Sequence, residues 1–302
     1  MNNTQRLIPG TLYSQLIHRT QHAQQNGALQ SISTNYEYLT EGHQEFLVRI
    51  VANLERKSKH QKAPKPENFN PFLPYEDHLF VADLSDQHLV LLNKFNVMDH
   101  HLLMVTREFV SQDTWLDEVD MLALALVLTE LDGLAFYNGG QAAGASQPHK
   151  HLQMVPLPFI PSRPDLPIDP LIAAADLQGL GHIPDFSFVH AVVPLTLDWT
   201  ASAQSLTPKL LALYHELLDA IGIPFQSNSP QATGAYNLLV TRKWMLMVLR
   251  SQPSFEGIAI NALGFAGSLL VRNQQELEQL KRLGPMTILN NVGVLPQQEG
   301  NG

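Results

Sequence analysis

The apolar and polar positions along the chain fall into segments of two periods. Leu12, Leu16 and Ile17 recur at helical spacing within residues 11–26, and Phe46, Val48, Ile50, Val51 and Leu54 within 42–57. This spacing predicts a helical lead-in over about residues 1–60. From 78 to 107 the pattern shortens to the apolar runs HLFVADL, HLVLLNKF and HLLMVTREF, separated by Ser-Asp-Gln and Met-Asp-His. Short runs between turn-forming residues predict a meander of antiparallel strands. Residues 117–136 lack proline, are acidic in the first turn and apolar over a broad face. They are expected to form a buried helix that stops at Asn138-Gly139-Gly140.

After that stop, GGQAAGASQP leads into HKHLQMVPLP, whose period-two alternation puts His149, His151 and Gln153 on one face of a strand and Lys150, Leu152 and Met154 on the other. Further strands are expected over 186–195, 236–242 and 244–250, with helices near 207–221 and 274–283. The order is that of an α+β protein. A Leu-x-Val-Thr-Arg match between 103–107 and 238–242 is too short to establish two related halves.

Composition narrows the setting. The 302 residues, 44% of them hydrophobic, are enough for a sizeable core. The chain has no cysteine, which removes disulfides and cysteine-based zinc sites and fits a cytoplasmic protein. Its first residues lack the apolar core of a signal peptide and no run of about eighteen apolar residues occurs, so no membrane partner is expected. A formal net charge of −9 argues against a nucleic-acid partner. One basic run, Arg56, Lys57, Lys59, Lys62 and Lys65, reads either as a solvated linker or as a collar for polyphosphate.

The face made by His149, His151 and Gln153 carries the candidate chemistry. A half-buried strand ordinarily pairs apolar residues with solvent-tolerant ones, whereas this face holds two imidazoles and an amide. The small residues at 139–146 let backbone N–H groups approach an anion, and Ser146 adds a hydroxyl. An imidazole with a pKa of roughly 6.5 keeps a free lone pair at neutral pH, so His151 can attack a phosphorus and carry a nucleotidyl group to a second acceptor. His149 can orient it or handle a proton, and Gln153 can donate to a phosphate oxygen but has no proton to deliver, which favours transfer over hydrolysis. Two histidines at i and i+2 also suit a metal such as Zn²⁺, and a hydrogen-bonded structural pair is a further reading. No acidic or cysteine ligand lies nearby in sequence, so no metal site is assigned. His100-His101 lies at a turn before a strand and is expected at the surface.

Five stretches resemble one family: NPFLPYE (70–76), LLNKFNVMDHHLLMVTREF (91–109), FYNGGQAAGASQPHKHLQMVPLP (136–158), YNLLVTRKWMLMV (236–248) and INALGFAGSLLV (260–271). The chain resembles the diadenosine tetraphosphate phosphorylases, or ATP adenylyltransferases, of the histidine-triad superfamily. That resemblance implies a histidine-triad-like α+β fold, a curved antiparallel sheet with packed helices. It implies one catalytic domain over residues 1–302, whose C-terminal half, about 185–290, completes the nucleotide site. The implied reaction is reversible phosphorolysis of diadenosine tetraphosphate to ATP and ADP through an AMP-histidine on His151, with ADP and sulfate as another acceptor pair. The resemblance further implies nucleotide contacts at Lys57, Asn93, Lys94, Asn138, Gly144, Ala145, Ser146, Gln147 and Gln153, with Tyr236, Asn237 and Arg242 completing the second nucleotide's pocket. No covalent cofactor is implied, and Mg²⁺ or another divalent cation is expected to accompany the polyphosphate. Asn96 stands where the family tends to have proline. The alternatives are a uridylyltransferase acting on a hexose 1-phosphate, a dinucleoside polyphosphate hydrolase, and a nucleotide-binding sensor without turnover.

Overall fold

The computed structural model describes residues 4–51 and 70–296. Helix α1 (Leu12–Gln25) leads to strands β1 (Thr34–Glu41) and β2 (Gln44–Val51), followed by β3 (Phe80–Asp83), β4 (His88–Leu92) and β5 (Leu102–Thr106). Helix α2 (Glu118–Glu130), β6 (Gly133–Gly139), β7 (His151–Pro156) and the short α3 (Asp169–Ala174) come next. The C-terminal part runs β8 (His190–Pro194), α4 (Ala203–Ala220), β9 (Tyr236–Val240), β10 (Trp244–Leu249), β11 (Ser254–Phe255), β12 (Ile258–Ala259), α5 (Ala262–Phe265), β13 (Ser268–Val271), α6 (Gln274–Leu283) and α7 (Pro285–Val292).

Eight strands form one antiparallel sheet in the order β3-β4-β5-β7-β6-β9-β10-β8. Alternation along each strand divides its side chains between two cores. Leu152 and Met154 join α1, α2 and α4 on one face, while Phe136, Val155 and Leu239 join the C-terminal elements on the other. A second sheet, β1-β2-β13, in which β13 runs parallel to β2, packs on that other face. The mixed α+β class with a large antiparallel sheet agrees with the expectation from sequence.

Two expected elements are corrected. Residues 44–51 form a strand, not a helix: Phe46, Leu47 and Val48 are all buried between β1 and β13, so their apolar run reflects a strand covered on both faces. Residues 52–57 of that expected helix, with Lys57 and the basic run 56–65, lie outside the described residues. The helix expected over 117–136 ends at Glu130, and the Asp132-Gly133 turn starts β6. The expected helices at 11–26, 207–221 and 274–283 are present as α1, α4 and α6.

The sheet contains two copies of a strand-helix-strand-strand unit. β5-α2-β6-β7 lies in the spatial order β5-β7-β6, and β8-α4-β9-β10 in the order β8-β10-β9. The two meet at the antiparallel β6-β9 pair, where Asn138 lies opposite Asn237. A twofold axis through that pair makes Tyr137-Asn138 equivalent to Tyr236-Asn237. Phe136↔Gln153 in one unit then matches Ala235 and Arg250 in the other, where the Arg250 N–H donates to the Ala235 carbonyl at 2.9 Å. The Leu-x-Val-Thr-Arg match is unrelated to this symmetry, because its copies lie on β5 and β9, the first strand of one unit and the second of the other.

Candidate active site

His151 is 4% exposed, and its Nδ1 lies 2.8 Å from the His149 carbonyl oxygen. A carbonyl only accepts, so Nδ1 carries the proton and Nε2 keeps its lone pair, with no hydrogen-bond partner among the described residues. Burial lowers the pKa of this imidazole to about 4. The ring is therefore neutral throughout the physiological range.

His149 has a different task. Its Nε2 donates to the Thr106 carbonyl and hydroxyl oxygens, both at 2.8 Å, while Nδ1 accepts from Asn70 Nδ2 at 2.9 Å. With both nitrogens engaged, it anchors the carbonyl that orients His151. Phe72 covers both imidazoles, with ring centroids 5.5 Å from His149 and 5.4 Å from His151.

Behind this face Lys150 is clamped to the start of α2. Its Nζ donates to the Asp120 carboxylate at 2.6 Å and to the Trp115 carbonyl at 2.7 Å, and His88 meets the other Asp120 oxygen at 3.0 Å. Burial alone would raise the Asp120 pKa, but the Lys150 ammonium and His88 bring it well below the usual carboxylate range. Asp120 also accepts from the Asp117 N–H, and Asp117 caps α2 in return. The back of β7 is thus tied to a helix N-terminus by a buried ion pair.

Two amides face the cleft with their oxygens already occupied. Asn93 Oδ1 accepts from the Phe95 N–H, so Asn93 Nδ2 donates to His101 Nδ1 at 3.2 Å, and His101 Nε2 donates to Gln153 Oε1 at 2.9 Å. Gln153 is left presenting its NH₂. Asn138 Oδ1 accepts from Asn237 Nδ2 at 2.8 Å and from the Ala262 N–H at 3.0 Å, which leaves its NH₂ as the free end. Arg250 holds Asn237 in place and also donates to the carbonyls of Ala143, Ile260 and Val292. Burial lowers the pKa of this guanidinium to about 10. His151 lies between the two amide donors, two residues from Gln153 on the same face and across the β6-β7 gap from Asn138.

Asn93, His101, Asn138 and Gln153 line a cleft of about 580 Å³ that also takes in Gly144, Ala145, Ser146 and, from the C-terminal part, Asn261 and Leu269, whereas His151, Asn237 and Arg250 are not part of its lining. The glycine loop works less directly than its composition implied. The Gly144 and Ala145 N–H groups are spent on the Gln141 and Gly140 carbonyls. Gly144 is needed for its φ of +88° and because a Cβ there would lie 2.6 Å from the Ile260 oxygen. Ser146 borders the cleft, while Gln147 is half-buried and outside its lining.

Several residues fall elsewhere. Lys94 pairs with Glu76 outside the cleft lining. Tyr236 is buried on the opposite face, its hydroxyl 2.6 Å from that of Tyr214. Arg242 donates to the Leu128 and Thr129 carbonyls at the C-terminal end of α2, and Asn237 acts behind Asn138. His101, expected at the surface, is 8% exposed and lines the cleft, because it shares the inward alternation of Leu103 and Val105 beside β7. Asn96 shapes its turn with its side chain, accepting from Ser31 Oγ at 2.7 Å and donating to the Met98 carbonyl at 2.8 Å. Arg49 was not foreseen: it lines the cleft half-buried, with a buried Nε–H that has no partner among the described residues and a pKa lowered by burial. Among the described residues there is no group of three or more His, Cys, Asp or Glu able to hold a metal, and no helix is long and apolar enough to cross a membrane.

The chain matches known proteins over nearly its whole length. Residues 2–174 match the family model of the Ap4A phosphorylase N-terminal domain, and 184–295 that of the ATP adenylyltransferase C-terminal domain. Diadenosine 5′,5‴-P1,P4-tetraphosphate phosphorylase 2 of Saccharomyces cerevisiae is 33% identical over 264 residues, covering 78% of this chain and 79% of that protein. The crystal structure of yeast Ap4A phosphorylase in complex with Ap4A superposes with a TM-score of 0.76 at 27% identity, covering 97% of this chain and 100% of the other. The complex of the yeast enzyme with AMP gives 0.74 at 26%, covering 97% and 100%. With family models spanning both parts of the chain and a relative of this identity and coverage, the protein belongs to the Ap4A phosphorylase, or ATP adenylyltransferase, family.

Proposed function

We propose that the protein catalyses the reversible phosphorolysis of diadenosine tetraphosphate, giving ATP and ADP through AMP carried on His151. The observation that carries this reading is the state of His151: a neutral ring, its Nδ1 proton fixed on the His149 carbonyl, its Nε2 free between two amide donors. In the first step Nε2 attacks the phosphorus of one adenylate, the N–P bond forms, and the P–O bond to the polyphosphate breaks, releasing ATP. In the second, an oxygen of inorganic phosphate attacks the same phosphorus and the P–N bond breaks, giving ADP. The NH₂ groups of Gln153 and Asn138 can stabilise negative charge on the non-bridging oxygens at both steps. Arg49, with no carboxylate partner among the described residues, supplies a counter-charge in the cleft.

The acceptor is argued from Gln153. An amide in that position binds an oxyanion but can neither give a proton to a leaving group nor take one from an attacking water, which supports phosphate, or sulfate in the reverse use of ADP, as acceptor. Mg²⁺ or another divalent cation would travel with the polyphosphate rather than in a protein cage. The cleft draws lining residues from both parts of the chain, which supports one catalytic unit over residues 1–302. A cysteine-free chain acting on nucleotides fits the cytoplasm.

The test is incubation with diadenosine tetraphosphate with and without phosphate, resolving products by anion exchange. ATP and ADP appearing only with phosphate, and a protein-bound AMP trappable without it, are expected. ATP and AMP formed without phosphate would identify a hydrolase. Turnover only of a UDP-hexose with a hexose phosphate would identify a uridylyltransferase.

A further inference from the structure

The β6-β7 ladder stops short of the nucleophile. It pairs Gly133 with Pro156 through Phe136 with Gln153, and the next step would bring Asn138 against His151. The side chain of Gln112 fills that place. Its Oε1 accepts from the His151 backbone N–H at 2.8 Å, and its Nε2 donates to the Asn138 carbonyl at 2.9 Å and to the His151 carbonyl at 3.3 Å. Only this orientation of the amide satisfies both strands, because the His151 N–H can only donate and the Asn138 carbonyl can only accept. The backbone of Gln112 is held as firmly: its N–H donates to Pro148 at 2.8 Å and its carbonyl accepts from the Tyr137 hydroxyl at 2.5 Å. The residue is 2% exposed.

We propose that Gln112 is a positioning residue that sets the spacing between His151 and Asn138 by inserting its amide into the sheet as a substitute for one ladder step. The inference rests on His151 being the nucleophile and Asn138 a donor to the phosphoryl oxygens. A direct β-ladder at this point would draw the two strands together by the width of an amide. Gln112 holds them apart and leaves neither backbone group unpaired. The free NH₂ of Asn138 and the free Nε2 of His151 then keep a fixed separation that neither strand sets alone. Displacement of about 1 Å of a reacting group can cost about 10²-fold in rate, so a spacer of this kind acts on the rate more than on binding.

Two variants test it. Gln112→Met keeps the volume and removes both hydrogen bonds. Gln112→Glu keeps the acceptor for the His151 N–H but, when ionised, sets a carboxylate against the Asn138 carbonyl; when protonated, its O–H replaces the lost donor. The ionisable residues on the elements meeting here are Tyr137 on β6, His149, Lys150 and His151 on or beside β7, Asp113 next in the chain and Asp120 on α2. None of them is substituted in either variant. Single-turnover formation of protein-bound AMP, kcat for phosphorolysis and the Kd for AMP would be measured across pH. The expected result is a fall in adenylylation of about 10²-fold in both variants, with the Kd for AMP within about threefold. Only Gln112→Glu should regain rate relative to wild type as the pH is lowered. Rates within about twofold of wild type, or AMP binding lost in proportion to rate, would overturn the proposal. If Gln112→Met does not fold, the acid recovery of Gln112→Glu decides. Wild-type turnover without a trappable adduct would count against the His151 intermediate, and kcat of the variants would remain the measure of Gln112.

Discussion

The two units of the large sheet share a topology and diverge on the face that matters. Where β7 and its approach carry His149, His151 and Gln153, the equivalent positions of β10 are Leu246, Val248 and Arg250. Leu246 and Val248 are fully buried in the core beneath the C-terminal elements, and Arg250 spends its guanidinium on carbonyls and on Asn237. The back faces differ in the same sense: Lys150, paired with Asp120, has Met247 as its counterpart in the apolar core. One copy therefore carries the candidate catalytic side chains, and the other, through Asn237 and Arg250, supports Asn138 of the first. Two units of one topology can thus differ in task, one holding the candidate site and the other supporting its geometry.

The largest effect should come from breaking this asymmetry at the nucleophile. His151→Asn is expected to reduce phosphorolysis by at least about 10³-fold and to leave AMP binding largely intact. Val248→Ala, at the equivalent place, should cost about 1–3 kcal/mol of stability in a denaturant titration and leave kcat nearly unchanged. Near-normal turnover in His151→Asn would remove the covalent mechanism.

Making the back of the first unit resemble the second is the next test. Lys150→Met removes the ammonium partner of the buried Asp120 charge, leaving only its hydrogen bonds with His88 and the Asp117 N–H, and should cost about 3–5 kcal/mol. The double variant Lys150→Met with Asp120→Leu should recover part of that loss, because an apolar pair replaces a buried ion pair at little cost, the remainder reflecting His88 and the Asp117 N–H left without their acceptor. A double variant as unstable as the single one would show that the pair does more than neutralise itself.

Gln153→His should divert part of the flux from phosphate to water, read as AMP in place of ADP. Unchanged partitioning would show that this position does not choose the acceptor. The smallest effect concerns pH. Burial lowers the His151 and His101 pKa values to about 4, so the free enzyme keeps a neutral nucleophile well below the ordinary imidazole pKa of 6.5. The acid limb of kcat/KM should lie nearer 4–5 than 6.5. Between 6.5 and 4 the unfolded chain binds protons that the folded one refuses, so stability falls as pH falls through that window. An acid limb at 6.5 or above would mean that burial does not control the nucleophile.

The alternation around His151 was legible because a period of two in an otherwise apolar strand leaves little choice about which side chains share a face. His101 was misjudged because a histidine after a turn looks exposed until its strand is known to lie beside β7. The segment 44–51 was misread for a related reason. A strand covered on both faces loses its alternation, and its apolar run then fits a helix as well. Tyr236 and Asn237 are both expected in the second nucleotide's pocket, but only the β6-β9 register shows that Asn237 faces the site and Tyr236 the opposite core.

The sequence by itself determined the chemistry: a strand with two imidazoles and an amide on one face, a glycine-containing approach, and no cysteine. Those are local properties, set by residue type and by the two-residue repeat of a strand. The tertiary structure alone decided which nitrogen of His151 is free, which end of each amide faces the cleft, and that Gln112, 39 residues away in sequence, sets the place of the nucleophile. Such choices depend on hydrogen bonds between groups remote in the chain, and a donor or acceptor reveals its orientation only when its partner is in place.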